Sequence, residues 1–230
     1  MAVAIVTGAS RGLGRAVALD LASDGWDLVI DGRDPSSLEL VRDKLDALGA
    51  SVQAIAGDVT DEGHRSALVD SAQDAGSLNL VVNNASTLGP SPLPSLDHYP
   101  LDALRRVYDV NVIAPLALVQ ASLPLLRVSK GTVVSVSSDA SVEAYEGWGG
   151  YGSSKAALDQ LHRVLAAEEP DVRVYLFDPG DMRTEMHQAA YPGEDISDRP
   201  EPESVVPALR RLLASGLPSG RYLASALEES

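Results

Sequence analysis

Val3-Ala4-Ile5-Val6-Thr7-Gly8-Ala9-Ser10-Arg11-Gly12-Leu13-Gly14 runs from an apolar strand through a glycine-rich turn into a helix that reaches about Ser23. Gly8 permits the tight turn, Gly12 lets backbone approach a pyrophosphate, and Gly14 lets the helix pack close to the strand. Such a cluster is often only a turn, but its place after the first strand of a βαβ unit favours a dinucleotide site. The spacing is G-x3-G-x-G, not the G-x-G-x-x-G of many dehydrogenases. Outward from it, strand-like runs recur at residues 3–7, 28–31, 52–56, 78–83, 132–137, 172–177 and 221–224. Helical periodicity fills 35–48, 101–128, 151–168 and 202–215, with Asp34-Pro35 as one helix start and Thr60 or Asp61 as another. This alternation predicts a single α/β domain over 1–230, a parallel sheet of about seven strands with helices on both faces. The irregular stretches 86–100, 139–150 and 181–200 follow strands, where ligands bind in such sheets.

Composition narrows the classes. The 230 residues are 45% apolar, enough for one large core, and no apolar run was expected to reach the roughly 18 residues that span a bilayer. The net charge of −15 repels phosphate backbones and argues against nucleic acid as a partner. Cysteine is absent, and the four histidines lack ligand spacing, so no metal site is expected. The N-terminus has no basic n-region before its first strand, so a cytoplasmic location without a membrane partner is the simplest expectation.

Tyr151-Gly152-Ser153-Ser154-Lys155 places a phenol and an ammonium one helical turn apart, on one face. An adjacent ammonium lowers a phenol's pKa and makes it a usable general acid or base. Gly149-Gly150 before the helix would set its positive end nearby. Ser138 projects toward the same cleft from the end of the 132–137 run. Tyr-x3-Lys alone is also common on solvated helices. Only three lysines occur in the chain, Lys44, Lys130 and Lys155, which makes the coincidence more telling.

Taken together, Thr7-Gly8-x3-Gly12-x-Gly14, Asn83-Asn84-Ala85, Asn111, Ser138, Tyr151-x3-Lys155 and Asp178-Pro179-Gly180 resemble the short-chain dehydrogenases/reductases in order and spacing. The resemblance covers the chain from Val3 to about Tyr222 and implies a Rossmann-like, doubly wound fold. It implies that Tyr151 exchanges a proton with a carbonyl or alcohol oxygen while a nicotinamide exchanges the hydride. Ser138 would bind that oxygen, and Lys155 would tune Tyr151 and hold the nicotinamide ribose. Asn111 would bend its helix and anchor a relay water, or it is simply a polar helix residue. Pro115 supports the first reading, because it lacks the N–H that the residue 111 carbonyl would bond. The resemblance also implies cofactor contacts from Gly8, Ser10, Arg11, Gly12, Leu13, Gly14, Asp58, Val59, Asn83, Ala85, Pro179, Gly180, Met182 and Thr184. Ser86 departs from the family's usual glycine.

Cofactor choice turns on 28–34. By the resemblance, Gly32 stands where an acidic residue would bind the 2′-hydroxyl of NAD, Arg33 follows it, and Arg11 lies where the family places a second positive charge, though each arginine also reads as a plain surface residue. These favour NADP(H); Asp31 or Asp34 reaching the ribose would admit NAD(H). Tyr145, Trp148 and Met186 are expected at the substrate pocket, with Met182 and Tyr191, or else they pack as core. The resemblance implies a small carbonyl or alcohol as partner and, through pairing of the two long helices by Leu116, Leu118, Leu123, Leu158, Leu161 and Leu165, a homodimer or homotetramer; otherwise both helices are simply buried in the monomer. A non-catalytic NADP-binding regulator or scaffold, and an epimerase or dehydratase, remain alternatives.

Overall fold

In the computed structural model, which describes residues 2–228, seven strands form one sheet: β1 (Val3–Val6), β2 (Asp27–Gly32), β3 (Val52–Ala56), β4 (Leu80–Asn83), β5 (Thr132–Val136), β6 (Arg173–Asp178) and β7 (Gly220–Leu223). All pair in parallel, in the order β3-β2-β1-β4-β5-β6-β7. The helices are α1 (Gly12–Ser23), α2 (Pro35–Ala47), α3 (Glu62–Asp74), α4 (Leu101–Tyr108), α5 (Ala114–Ser129), α6 (Gly149–Glu168), α7 (Glu185–Ala190), α8 (Val206–Ser215) and α9 (Ala224–Glu228).

Strand alternation sorts the core into two layers. Ala4, Val6, Leu28, Ile30 and Val134 face one way, against apolar residues of α1, α2, α8 and α9. Val3, Ile5, Val29, Val81 and Val133 face the other, against Leu68, Val69 and Ala72 of α3, Leu118, Val119 and Leu126 of α5, and Leu165 of α6. Helices therefore cover both faces, in the doubly wound arrangement the sequence predicts. Caps fix the entry angles of the helices. Asp34 accepts from Ser37 N at 2.6 Å, with Pro35 opening α2, and Asp61, not Thr60, caps α3 through His64 N at 2.8 Å.

Strand order reverses between β1 and β4, so their carboxyl ends diverge and open a cleft. Thr7 and Asn84 bind the two ends together there. Thr7 Oγ1 accepts from Asn84 N and Ala85 N, both at 3.0 Å, and Asn84 Nδ2 donates to the carbonyls of Thr7 (2.8 Å) and Gly8 (3.2 Å). A Cβ on Gly14 would fall 2.4 Å from both the Gly8 carbonyl oxygen and Asn84 Nδ2. The glycine is therefore required by the closeness of α1 to this clasp.

Four expectations change. The helix expected over 101–128 is interrupted by a π-helical turn, Asp109–Ile113, in which Ala114 N–H reaches back five residues to the Asp109 carbonyl. The stretch Leu101–Ser129 is long and apolar enough to cross a membrane by length and composition, contrary to the sequence expectation; in the fold its Leu118, Val119 and Leu126 pack on the sheet. The α6 helix begins at Gly149, so both glycines lie inside its first turn rather than ahead of it. The 181–200 stretch contains α7, too short a helix to leave a periodic signature. Of the apolar residues expected at a dimer face, Leu118, Leu158 and Leu165 are buried in the monomer, while Leu116, Leu123 and Leu161 are half-buried. Ile113, Val128 and Val164 on the same segments are exposed.

Candidate active site

The cleft at the carboxyl ends of the strands has a volume of about 710 Å³, within the usual range for ligand sites. It is lined by Gly8, Ser10, Arg11, Gly12 and Leu13 of the glycine turn, by Ser138, Tyr151 and Lys155, and by Pro179, Gly180, Met182 and Thr184. Gly8 (φ +65°) and Gly12 (φ +54°) adopt left-handed conformations that side chains disfavour. The first turn of α1 carries no acidic residue, and Arg11, its N-cap, makes no side-chain capping bond. Its N–H groups are thus left for an anion, which fits a pyrophosphate.

At the end of β2, Asp31 is buried and engaged: it accepts from Gly8 N at 2.6 Å and lies 3.0 Å from His64 Nε2. It holds the glycine loop rather than a ribose. Asp34 is likewise used as the α2 cap. A Cβ on Gly32 would sit 3.0 Å from Ser10 Cβ and Oγ, tight enough to displace Ser10. Arg33 is exposed at the cleft and, among the described residues, makes no ion pair. Arg11 is paired with Glu185 of α7, both exposed, a contact of small worth. Asp58 and Val59 line the cleft. The Asp58 carboxyl accepts from Thr60 N and Oγ1 and pairs with Arg106; despite burial, these contacts hold its pKa at about 2.

Five of the residues expected at the site do not line the cleft: Gly14, Asn83, Asn111, Tyr145 and Tyr191. Asn83 is buried with Nδ2 3.2 Å from Ser135 Oγ, and its neighbour Asn84 lines the cleft instead, beside Ala85. The alternating pleat explains this, since successive residues face opposite ways. Tyr145 lies outside the cleft lining, its hydroxyl donating to Asp139 Oδ2 at 2.9 Å and its ring edge-on to Trp148. Trp148 and Met186 do line the cleft, with Leu88. Tyr191 packs on the other side of Trp148, with ring centroids 6.2 Å apart.

At the centre, Tyr151 is packed beneath Trp148, and Lys155 Nζ lies 5.5 Å from the phenol ring centre. The phenol does not follow the expected downward shift. Burial, then the carboxylates of Asp178 and Asp139, hold its pKa well above the ordinary value, while Ser138 and Ser86 hydrogen bonds pull the other way. Lys155 Nζ donates to the Val136 carbonyl at 2.8 Å, and burial lowers its pKa to about 8, partly countered by Asp159. Ser138 follows β5 by two residues; its hydroxyl donates to Asp139 Oδ1 at 2.9 Å and accepts from Ala140 N at 3.2 Å. Asn111, in the π-helical turn, is fully engaged. Its amide donates to the Thr87 carbonyl (2.9 Å) and Ser154 Oγ (3.0 Å), and its oxygen accepts from Thr87 N (2.8 Å) and Ser86 Oγ (3.1 Å). It thus ties the loop after β4 to α6.

A family model described as short chain dehydrogenase matches residues 2–195. The chain belongs to the short-chain dehydrogenase family. It is 34% identical to a sepiapterin reductase of Mus musculus over 222 residues, 91% of this chain and 84% of that one. It is also 34% identical to a benzil reductase ((S)-benzoin forming) of Saccharomyces cerevisiae over 219 residues, 91% of this chain and 80% of that one. A short chain dehydrogenase of Shigella flexneri solved in complex with NADP superposes with a TM-score of 0.90 at 30% identity, covering 97% of this chain and 96% of its own. Within this oxidoreductase family fold, the sequence reading missed Asn84 and Arg106 as lining residues, while Ser86, singled out for replacing a glycine, does line the cleft. Asn84 had a visible signal in the Asn-Asn pair; Arg106 had none.

Lys155 generates a stability prediction. Its folded-state pKa lies below the unfolded one, so the stability it contributes is present above about pH 10.5 and is lost as pH falls through about 8. The wild type should therefore gain about 2 kcal/mol relative to Lys155→Met between pH 7 and pH 9.5 in urea denaturation. A gap that stays constant across that range would refute the buried, depressed ammonium.

Proposed function

We propose that the protein is an NADP(H)-dependent oxidoreductase that interconverts a ketone or aldehyde and its alcohol, with Tyr151 as general acid–base. What carries this reading is the convergence of the Ser138 hydroxyl, the Tyr151 phenol and the Lys155 ammonium in one cleft that leads to an uncapped helix N-terminus. Bound NADP(H) supplies the hydride for reduction or takes it up in oxidation. Ser138 and Tyr151 hydrogen-bond the substrate oxygen, and Tyr151 gives up its proton as negative charge develops there. A phenol held above its ordinary pKa stays protonated through the neutral range, which suits reduction. Oxidation needs the phenolate and gains as pH rises. Lys155 offers its ammonium to the ribose, and the main-chain carbonyl of Asn111, facing a proline four residues on, anchors a relay water.

Trp148, Leu88 and Met186 form an apolar wall beside Tyr151, which supports a carbonyl carrying apolar or aromatic bulk. The two relatives named as reductases, one of sepiapterin and one of benzil, support the same direction and class. Arg33 at the cleft, Gly32 against Ser10, and Asp31 and Asp34 engaged elsewhere support NADP(H) over NAD(H).

Tyr151→Phe removes the proton donor and keeps the packing. It should leave less than about a tenth of turnover, since acid–base catalysis typically contributes 10²–10⁴-fold, with NADPH affinity nearly unchanged. A panel of ketones and alcohols with both cofactors checks this, and no turnover by the wild type would shift the reading to a binding protein.

Arg33→Ala should weaken NADPH by roughly tenfold and leave NADH nearly unaffected, because an exposed charged hydrogen bond is discounted by solvent. Titration of both cofactors at low and high salt reads the difference. A wild type that prefers NADH would overturn the cofactor assignment.

Pairing of α5 and α6 with a second copy would cover Ile113, Val128 and Val164. Light scattering at micromolar concentration should give a multiple of the 24.1 kDa chain mass; a single-chain mass would exclude it.

A further inference from the structure

Arg221, on β7, reaches under the catalytic centre although it lies far from it in sequence. Its guanidinium donates to Asp178 Oδ2 at 2.5 Å and to the main-chain carbonyl of Ser138 at 3.1 Å. Its Nε lies 3.5 Å from Asp159 Oδ2, an ion pair without a hydrogen bond. All three side chains are withdrawn from solvent: Arg221 is 15% exposed, Asp178 3% and Asp159 1%. The cation thus joins β7 to the end of β6, to the loop bearing Ser138, and to α6 one turn beyond Lys155.

Buried charge of one sign is costly unless paired. Around Tyr151 and Lys155 the charged and titratable groups are Asp139 on the loop after β5, Asp159 and His162 on α6, Asp178 on β6 and Arg221 on β7. Against three carboxylates stand only two cations, Lys155 and Arg221, among these groups. Asp178 is also tied to the cofactor side, accepting from Gly180 N at 3.0 Å.

We propose that Arg221 is a positioning residue for the catalytic centre: it holds the Ser138 main chain and offsets the buried carboxylates of Asp178 and Asp159 behind the Tyr151–Lys155 pair. The inference rests on the proposed oxidoreductase reading for its effect on turnover, but its electrostatic part is independent of turnover. Without the guanidinium, Asp178 bears unopposed on the phenol and Asp159 on the ammonium. Both groups then bind protons more tightly. The Ser138 carbonyl also loses its donor, which loosens the hydroxyl that meets substrate.

The test uses the intact chain with Arg221→Gln, which retains a donor but no charge, and Arg221→Lys, which retains charge. With three lysines in the chain, 13C-labelled lysine gives three resonances, and Lys155→Met assigns that of Lys155. Its titration midpoint should rise by about half a pH unit or more in Arg221→Gln and stay near wild type in Arg221→Lys. In the holoenzyme, the pH at which alcohol oxidation becomes half-maximal should rise in Arg221→Gln and recover in Arg221→Lys. Midpoints that move while the wild type turns over no alcohol or ketone would uphold the role of Arg221 and overturn the oxidoreductase reading. A folded Arg221→Gln with wild-type midpoint and pH profile, lowered only in melting temperature, would overturn the proposal. Should Arg221→Gln not fold, Asp178→Asn reads the phenol arm of the same coupling: an alcohol-oxidation pH profile that fails to fall would overturn it equally.

Discussion

The clasp between Thr7 and Asn84 is the constraint from which the site follows. Two parallel strands that diverge at a topological switch point leave main-chain groups without strand partners. Thr7 Oγ1 takes two of the freed N–H groups after β4, and Asn84 Nδ2 satisfies two carbonyls after β1. The carboxyl ends stay joined while the cleft opens beside them. Gly14 lets α1 approach this junction, and Asp31 pins the turn from β2 through Gly8 N. Three strands thereby set the position of one helix N-terminus.

The end that holds Tyr151 and Lys155 is governed by the opposite problem, too much burial for its charges. Burial alone raises the phenol and lowers the ammonium, each toward its neutral form. The protein answers with hydroxyls and a second cation. Ser138 and Ser86 bond the phenol, the Val136 carbonyl receives the ammonium, and Arg221 opposes Asp178. Asn111 keeps Ser86 and Ser154 in register, so the π-helical turn that carries it belongs to the site as much as to the helix.

Sequence alone was informative where periodicity and spacing are local. Short apolar runs located all seven strands to within two or three residues, and Tyr151-x3-Lys155 met Ser138 in the cleft. It was uninformative where the outcome depends on which way a residue faces at a strand end, as with Asn83 and Asn84. It misjudged the Tyr151 phenol because burial, and then Asp178 and Asp139, come from parts of the chain distant in sequence. Arg221 is a charged residue in a short edge strand; nothing within ten residues of it marks a role, since every one of its partners is long-range.

Gly32 and Ser10 carry a consequence for how this protein could change by mutation. An acid at position 32 is the simplest one-codon route toward NAD(H), but its first carbon would press on Ser10 in the phosphate-facing turn. The neighbouring acids offer no detour, since Asp31 braces Gly8 and Asp34 starts α2. A carboxylate at position 32 therefore needs Ser10 to yield by a few tenths of an ångström, so the two loops bear on that substitution together. What position 32 tolerates is thus set by the packing of the neighbouring loop as well as by the contacts a new side chain would itself make.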